Sequence, residues 1–245
     1  MIRIAISGIY GKTGSETALA AEKHDNFEIA FGVDKTAKHI GATVYNASGQ
    51  KVVPVYKSFA EAKKAGERCD GIIDFSSPSA LKDICDYAAK TKSFVLFATT
   101  GYSEKDKVVI KKLSESASVC LTENTSRGIA AVKKILPVIC SSLPDFQTRI
   151  TETHNKNKKD APSGTAIALN DCLRKKTQIM SVREGDVVGI HTVSFTSEFE
   201  EISVTHKAFS RSVFANGALE TAEKLYKKAP GFYNPEGEKT IAHKN

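Results

Sequence analysis

Over roughly its first 122 residues the chain alternates short apolar runs with segments of helical periodicity, and this pattern restricts the fold most. IRIAIS (2–7), FEIAFGV (27–33), GIIDFSS (71–77), SFVLFATTGY (93–102) and SVCLTENTS (118–126) read as strands. SETALAAEKH (15–24), FAEAKKAGE (59–67), LKDICDYAAKT (81–91) and SEKDKVVIKKLSESA (103–117) read as helices. Strands that are apolar throughout and separated by helices need a parallel sheet covered on both faces. Ligands of such sheets lie beyond the carboxyl ends of the strands. Phe75-Ser76-Ser77, Ala98-Thr99-Thr100-Gly101 and Thr122-Glu123-Asn124-Thr125 occupy those ends.

The first strand runs into Gly8-Ile9-Tyr10-Gly11-Lys12-Thr13-Gly14 and then a helix. Strand, glycine turn and helix together place a pyrophosphate on a helix N-terminus. The spacing is GxxGxxG rather than GxGxxG. Gly8 suits the tight turn, Gly11 lets backbone approach phosphate, and Gly14 lets the helix pack on the strand. The second strand ends in Asp34-Lys35, twenty positions after Gly14. An acid there takes ribose hydroxyls, and the adjacent lysine can meet a 2′-phosphate.

The second half changes character. GIAAVKKILPVICSSL (128–143) reads as a helix bent at Pro137, and RITETH (149–154) as a strand. VVGIHTVSFT (187–196) and FEEISVTHKA (199–208) alternate at period two, as an antiparallel hairpin does. The change from βαβ units to hairpin sets a boundary near residue 123. FANGALETAEKLYKKA (214–229) is a last amphipathic helix that can return to the first domain. The expected division is 1–122 plus about 214–245 for one domain and 123–213 for an insertion.

Between strand and next helix lies Glu152-Thr-His-Asn-Lys-Asn-Lys-Lys-Asp-Ala-Pro-Ser-Gly-Thr165. His154 and Lys158 can give protons near neutral pH. Ser163, Gly164 and Thr165 open a helical pattern whose first amides suit a carboxylate. A capped, lysine-rich surface loop would contain the same residue types. His191 and His206 lie on hairpin strands and read as structural, while His24, His39 and His243 have no neighbouring chemistry.

Net charge is +7, with lysines spread along the whole chain and no aromatic platform, zinc motif or basic helix beside them. Anionic cofactor and substrate explain that charge more simply than nucleic acid does. Hydrophobic content of 41% points to a soluble globular protein. No apolar run approaches the roughly 18 residues of a membrane span, and the first residues lack a signal-peptide pattern. Five scattered cysteines without a CxxC pair fit a reducing cytoplasm, and no metal-site spacing is present.

Gly8 to Gly14, Phe97-Ala-Thr-Thr-Gly-Tyr102, Glu152-Thr-His, Lys158-Lys-Asp-Ala-Pro-Ser-Gly-Thr165, Arg183 to His191 and Thr205-His-Lys-Ala together resemble the 4-hydroxy-tetrahydrodipicolinate reductase family. The matches run in order over nearly the whole chain, and the KxDAPSGT segment after a histidine is the specific one. The resemblance implies an α/β fold: a Rossmann-like dinucleotide-binding domain with an inserted mixed α+β substrate-binding and oligomerisation domain, assembled as a homotetramer. It implies NADH or NADPH as hydride donor to a small dicarboxylate in lysine and diaminopimelate biosynthesis. It further implies His154 and Lys158 as catalytic donors, and Asn155, Gly164 and Thr165 as substrate contacts. Gly8 to Gly14, Asp34, Lys35, Ala98 to Thr100 and Thr122 to Thr125 match the family's cofactor site.

The chain departs from the family pattern in places. Asn155 stands where a second histidine is usual, Ala98 where a glycine is usual, and Lys12 where an arginine is usual; the region between Lys175 and Arg183 is short. Two other readings remain open at this level. One is a nucleotide-binding regulatory protein that kept the fold. The other is a dehydrogenase acting on an aspartate-type substrate, which would need a nucleophilic cysteine.

Overall fold

The computed structural model describes residues 1–37, 42–46, 49–173, 175 and 177–240, with 42–46 and 49–52 described by backbone alone. Among these residues the elements run in the following order: β1 Ile2–Ser7, α1 Lys12–Glu22, β2 Phe27–Val33, β3 Ala42–Asn46, β4 Gly49–Val53, β5 Val55–Tyr56, α2 Phe59–Lys64, β6 Gly71–Asp74, α3 Leu81–Thr91, β7 Phe94–Phe97, α4 Glu104–Leu113 and β8 Ser118–Leu121. Then follow α5 Arg127–Ser142, β9 Gln147–His154, α6 Gly164–Cys172, β10 Gln178–Arg183, β11 Gly189–Thr196, β12 Glu201–Ala208, α7 Ser212–Leu225 and β13 Gly231–Tyr233. His39 and His243 lie outside the described residues.

The chain divides into two compact units, residues 1–125 with 214–245, and residues 126–213. The first contains a seven-stranded parallel sheet in the order β13-β8-β7-β6-β1-β2-β5. Its strands are largely apolar because both faces are covered. Ile2, Ile4 and Ile6 of β1 pack into one core with Ala18 and Ala21 of α1 and Leu219, Ala222 and Leu225 of α7. Ala5 points to the opposite core, built on Phe59, Ile84, Tyr87 and Ile110. Strand β2 changes faces partway. Pairing steps from Ile4 with Ile29 to Ala5 with Phe31, so Ala30 is an extra residue, a bulge. Before it Phe27 and Ile29 face the first core; after it Phe31 and Val33 face the second.

From β1 the sheet is built outward in both directions, to β2 on one side and β6 on the other. That is a topological switch point, and the crevice beyond it is where such folds bind ligands. Gly8 leaves β1 there and Phe75 leaves β6. Beyond β8, the Thr125 hydroxyl donates to the Phe214 carbonyl at 2.7 Å, joining the two places where the chain crosses between units.

The second unit has a mixed sheet, β10-β9-β11-β12, with β10 parallel to β9 and the other pairs antiparallel. Leu136 of α5, Ala166 and Leu169 of α6, Ile150 of β9 and Val193 and Phe195 of β11 form its core. Helix α5 runs through Pro137. Four features escape the sequence reading: the β3–β4 hairpin, edge strand β5, strand β13, and above all β10. The interval from Lys175 to Arg183, read as a short connection, contains an edge strand whose residues are exposed or half-buried, so no apolar run marks it.

Candidate active site

Strand β9 delivers Glu152 and His154 to the same face, two positions apart as strand geometry requires. Glu152 is fully buried, which an ionised carboxylate tolerates only with partners. It has them on every side. Arg183, at the end of β10, grips it bidentately, Nη2 to Oε1 at 2.9 Å and Nη1 to Oε2 at 3.1 Å. His154 Nδ1 hydrogen-bonds the carboxylate, and the Ser163 N–H donates to Oε1 at 3.3 Å. Burial alone would raise the Glu152 carboxyl, but hydrogen bonds from Arg183, Ser181 and His154 outweigh it and hold the group down at about 2.

His154 sits at 8% exposure. Burial lowers its imidazole below the ordinary histidine value; the Glu152 carboxylate pulls the other way, and the Lys158 and Arg183 charges add to the lowering. His191 on β11 packs edge-on to His154, ring centres 5.0 Å apart, and shares a 3.3 Å contact with the Ser163 hydroxyl. Burial first, then the neighbouring His154, push His191 down to about 3, so this second ring stays neutral. A side chain on Gly189 would place its Cβ 3.1 Å from His154 Nε2. The absent side chain keeps that nitrogen accessible.

Ser163 caps α6, its hydroxyl accepting from the Ala166 N–H at 3.2 Å. Gly164 and Thr165 are the first helical residues, where backbone N–H groups point outward along the axis and favour an anion. Lys158 is paired with Asp160 at 2.8 Å, and its N–H donates to the Asn155 carbonyl. The Asn155 Oδ1 accepts from Asn157 N–H at 3.2 Å, so what this side chain offers a ligand is its Nδ2 donors. Ligand atoms of Glu152, His154 and His191 fall within 4.8 Å of one another. Arg183 occupies both Glu152 oxygens, however, so the cluster is a hydrogen-bonded one rather than a cation cage.

In the first unit the glycine turn has the geometry a dinucleotide needs. Gly8 has φ +76°, and a Cβ there would lie 2.7 Å from the Phe75 carbonyl oxygen. A Cβ on Gly14 would lie 2.1 Å from the Gly8 carbonyl oxygen. Helix α1 starts with no side-chain cap and no acid in its first turn, which leaves its N-terminus to an anion. Ile9 is buried and Gly11 donates to the Gly8 carbonyl, while Tyr10, Lys12 and Thr13 reach solvent. Asp34 accepts from Tyr10 N–H, Thr36 N–H and the Thr36 hydroxyl, three of the roughly four sites a carboxylate has. These are its donors among the described residues, and exposed Lys35 lies beside it.

Ala98 and Thr99 are buried at the end of β7, and Thr100 is exposed. Thr122 and Asn124 brace each other, the Thr122 hydroxyl donating to the Asn124 carbonyl at 2.9 Å; Glu123 is exposed and Thr125 buried. Beneath these loops buried Asp74 accepts from the Ser76 and Tyr102 hydroxyls, tying the end of β6 to the loop after β7. Asp74, Glu152 and Arg183 carry no role in the sequence reading, which gave Ser163 only the helix entry. For Glu152 and Arg183 the signal was the strand period and the recurring motif; for Asp74 there was only its place at a strand end.

The sequence profile described as Dihydrodipicolinate reductase, N-terminus, matches residues 2–125, and that described as Dihydrodipicolinate reductase, C-terminus, matches residues 128–237. A 4-hydroxy-tetrahydrodipicolinate reductase of Bdellovibrio bacteriovorus is 34% identical over 237 residues, spanning 95% of this chain and 93% of its own. One from Thermosipho africanus is 41% identical over 162 residues, 66% of this chain and 75% of its own. Among solved structures, dipicolinate-bound dihydrodipicolinate reductase from Paenisporosarcina sp. TG-14 superposes with a TM-score of 0.74 at 18% identity, over 96% of this chain and 97% of that one.

Proposed function

The chain belongs to the dihydrodipicolinate reductase family, and we propose from that premise how its own residues carry the reaction. The activity is NAD(P)H-dependent reduction of 4-hydroxy-tetrahydrodipicolinate to tetrahydrodipicolinate, with loss of water, in lysine biosynthesis. A regulatory protein is not favoured, nor is an aspartate-type dehydrogenase. Burial drives the Cys69 and Cys85 thiols up to about 11 and about 12, the opposite of an activated nucleophile.

One observation carries the assignment of roles. Glu152 accepts from both His154 Nδ1 and the Ser163 N–H, so one carboxylate holds an imidazole beside a helix N-terminus. Gly164 and Thr165 would take a substrate carboxylate on their N–H groups, and Lys158, exchanging Asp160 for substrate, would take the same end of the dicarboxylate or give a proton. Asn155 would add a neutral donor. His154 would deliver a proton from Nε2 to the ring atom left negative by reduction. Bound NADH or NADPH supplies the hydride. Gly8 to Gly14 with the start of α1 would hold its pyrophosphate, Asp34 and Lys35 its adenosine ribose, and the loops at Ala98 to Thr100 and Thr122 to Thr125 the remainder.

The same reading makes the protein a cytoplasmic homotetramer built through the sheet of the second unit. Its outer strand β12 exposes Ile202, and the preceding turn exposes Phe199. All five cysteines are free, and no helix among the described residues is long and apolar enough to cross a membrane. The test is NADPH oxidation with the substrate generated in place by synthase, pyruvate and aspartate semialdehyde. Wild type should turn over, and His154→Ala should lose about 10² to 10⁴ in kcat with cofactor affinity unchanged. Near-normal turnover in that variant would remove His154 from the mechanism.

A further inference from the structure

We infer that Glu152 and Arg183 are a matched pair of positioning residues for this reaction: Glu152 holds the His154 ring by Nδ1 so that Nε2 is the nitrogen that gives the proton, and Arg183 cancels the Glu152 charge so that the proton can leave. The inference rests on His154 being the donor.

The geometry leaves the ring one working orientation. Nδ1 is spent on a fully buried carboxylate, and the Nε2 side is the one that Gly189 leaves without a Cβ. When Nε2–H gives its proton to substrate, the N–H electron pair stays on Nε2. The product is the neutral ring with its hydrogen on Nδ1, the tautomer that a carboxylate at Nδ1 selects.

Charge decides the second half. A lone buried carboxylate against an imidazole would favour the protonated ring strongly and make it a reluctant donor. Here the Glu152 charge is offset by two Arg183 hydrogen bonds of 2.9 and 3.1 Å. Among the described residues, the charged or titratable neighbours that act on His154 add to one balance: Glu152 on its own strand, Arg183 on β10, His191 on β11, and Lys158 in the loop before α6. Glu152 favours the charged ring, the two cations oppose it, and neutral His191 contributes no charge. The ring keeps its orienting partner without being locked in the charged state.

The two residues therefore have opposite electrostatic effects on one group, which a merely structural pair would not have. Glu152→Gln, Arg183→Met and the double variant are compared with wild type in the synthase-coupled assay from pH 5 to 9, with synthase in excess. Histidine-labelled protein is titrated by NMR without substrate, the His154 signal being identified by its absence in His154→Ala. Glu152→Gln should move the pH at which activity falls with rising pH, and the His154 midpoint, down by about one unit. Arg183→Met should move both up by about one unit, and the double variant should return near wild type. In both single variants kcat should fall about 10- to 100-fold while the NADPH Michaelis constant stays within twofold.

Shifts in the same direction, or a fall in kcat with no movement of the pH limb, would overturn the inference. Should Arg183→Met unfold, seen as a lowered Tm and lost NADPH binding, Arg183→Lys replaces it: it keeps the charge and should leave both midpoints unmoved while loosening the ring and lowering kcat. Midpoint shift in Arg183→Lys would count against the charge argument. If the NMR midpoints move oppositely but His154→Ala turns over normally, the electrostatic pairing stands and the catalytic reading of His154 is what fails.

Discussion

Replacing Gly14 by Ala adds one methyl group where the backbone leaves no room for it. The new Cβ would sit 2.1 Å from the Gly8 carbonyl oxygen, 2.8 Å from its carbon and 3.1 Å from Ile9 Cα. The first contact is 0.9 Å short of the 3.0 Å that a real Cβ respects, and all three atoms are backbone, which cannot rotate aside. Relief requires α1 to withdraw from the β1 turn by most of an ångström. Overpacking of this kind costs about 1–3 kcal/mol of stability. The same withdrawal would move the α1 N–H groups off a pyrophosphate held as proposed, and losing one charge-assisted hydrogen bond costs about 1.5–3 kcal/mol. At 1.4 kcal/mol per decade the NADPH dissociation constant should rise about 10- to 100-fold. Fluorescence titration with NADPH, together with urea unfolding, reads both quantities. Gly66→Ala is the control: it has φ +86° but nothing within 4 Å of the added Cβ, so it should cost stability without touching affinity. If Gly14→Ala bound NADPH within twofold of wild type, the glycine turn would not be the pyrophosphate site.

Asp34, a carboxylate for the ribose hydroxyls, and Lys35 beside it, a cation for a 2′-phosphate, should together serve both cofactors, with kcat/KM for NADH and NADPH differing by less than about tenfold, or 1.4 kcal/mol; strict dependence on one in steady-state assays would refute that reading. Asn155→His should lower the substrate Michaelis constant several-fold, most clearly below about pH 6.5 where the imidazole is charged. A constant unchanged across pH 5.5–8 would take Asn155 out of the substrate site. His191 is depressed from 6.5 to about 3 by burial, so the unfolded chain binds the proton that the folded chain refuses. Its contribution to stability is whole above pH 6.5 and is lost as pH falls through that window, by about 2 kcal/mol between pH 7 and pH 5. His191→Gln should flatten that slope in urea unfolding, and an unchanged slope would refute it.

Composition and period settled a good deal without coordinates. Apolar strands spaced by helices can be satisfied only by a parallel sheet with covered faces, and the glycines at 8, 11 and 14 mark a turn in which positions 8 and 14 leave no room for a side chain. The motif from Glu152 to Thr165 is local, so the imidazole, the cations and the helix entry were legible together. What sequence could not carry was anything decided by strand pairing. Arg183 reaches Glu152 because β10 lies parallel beside β9, which puts residues 31 positions apart in bidentate contact. His191 reaches His154 because β11 runs antiparallel on the other side. A strand histidine looks the same in one dimension whether its neighbour is a core leucine or a second imidazole. Side chains show their period along the chain, but their partners across a sheet are fixed by register, and register is a property of the folded structure alone.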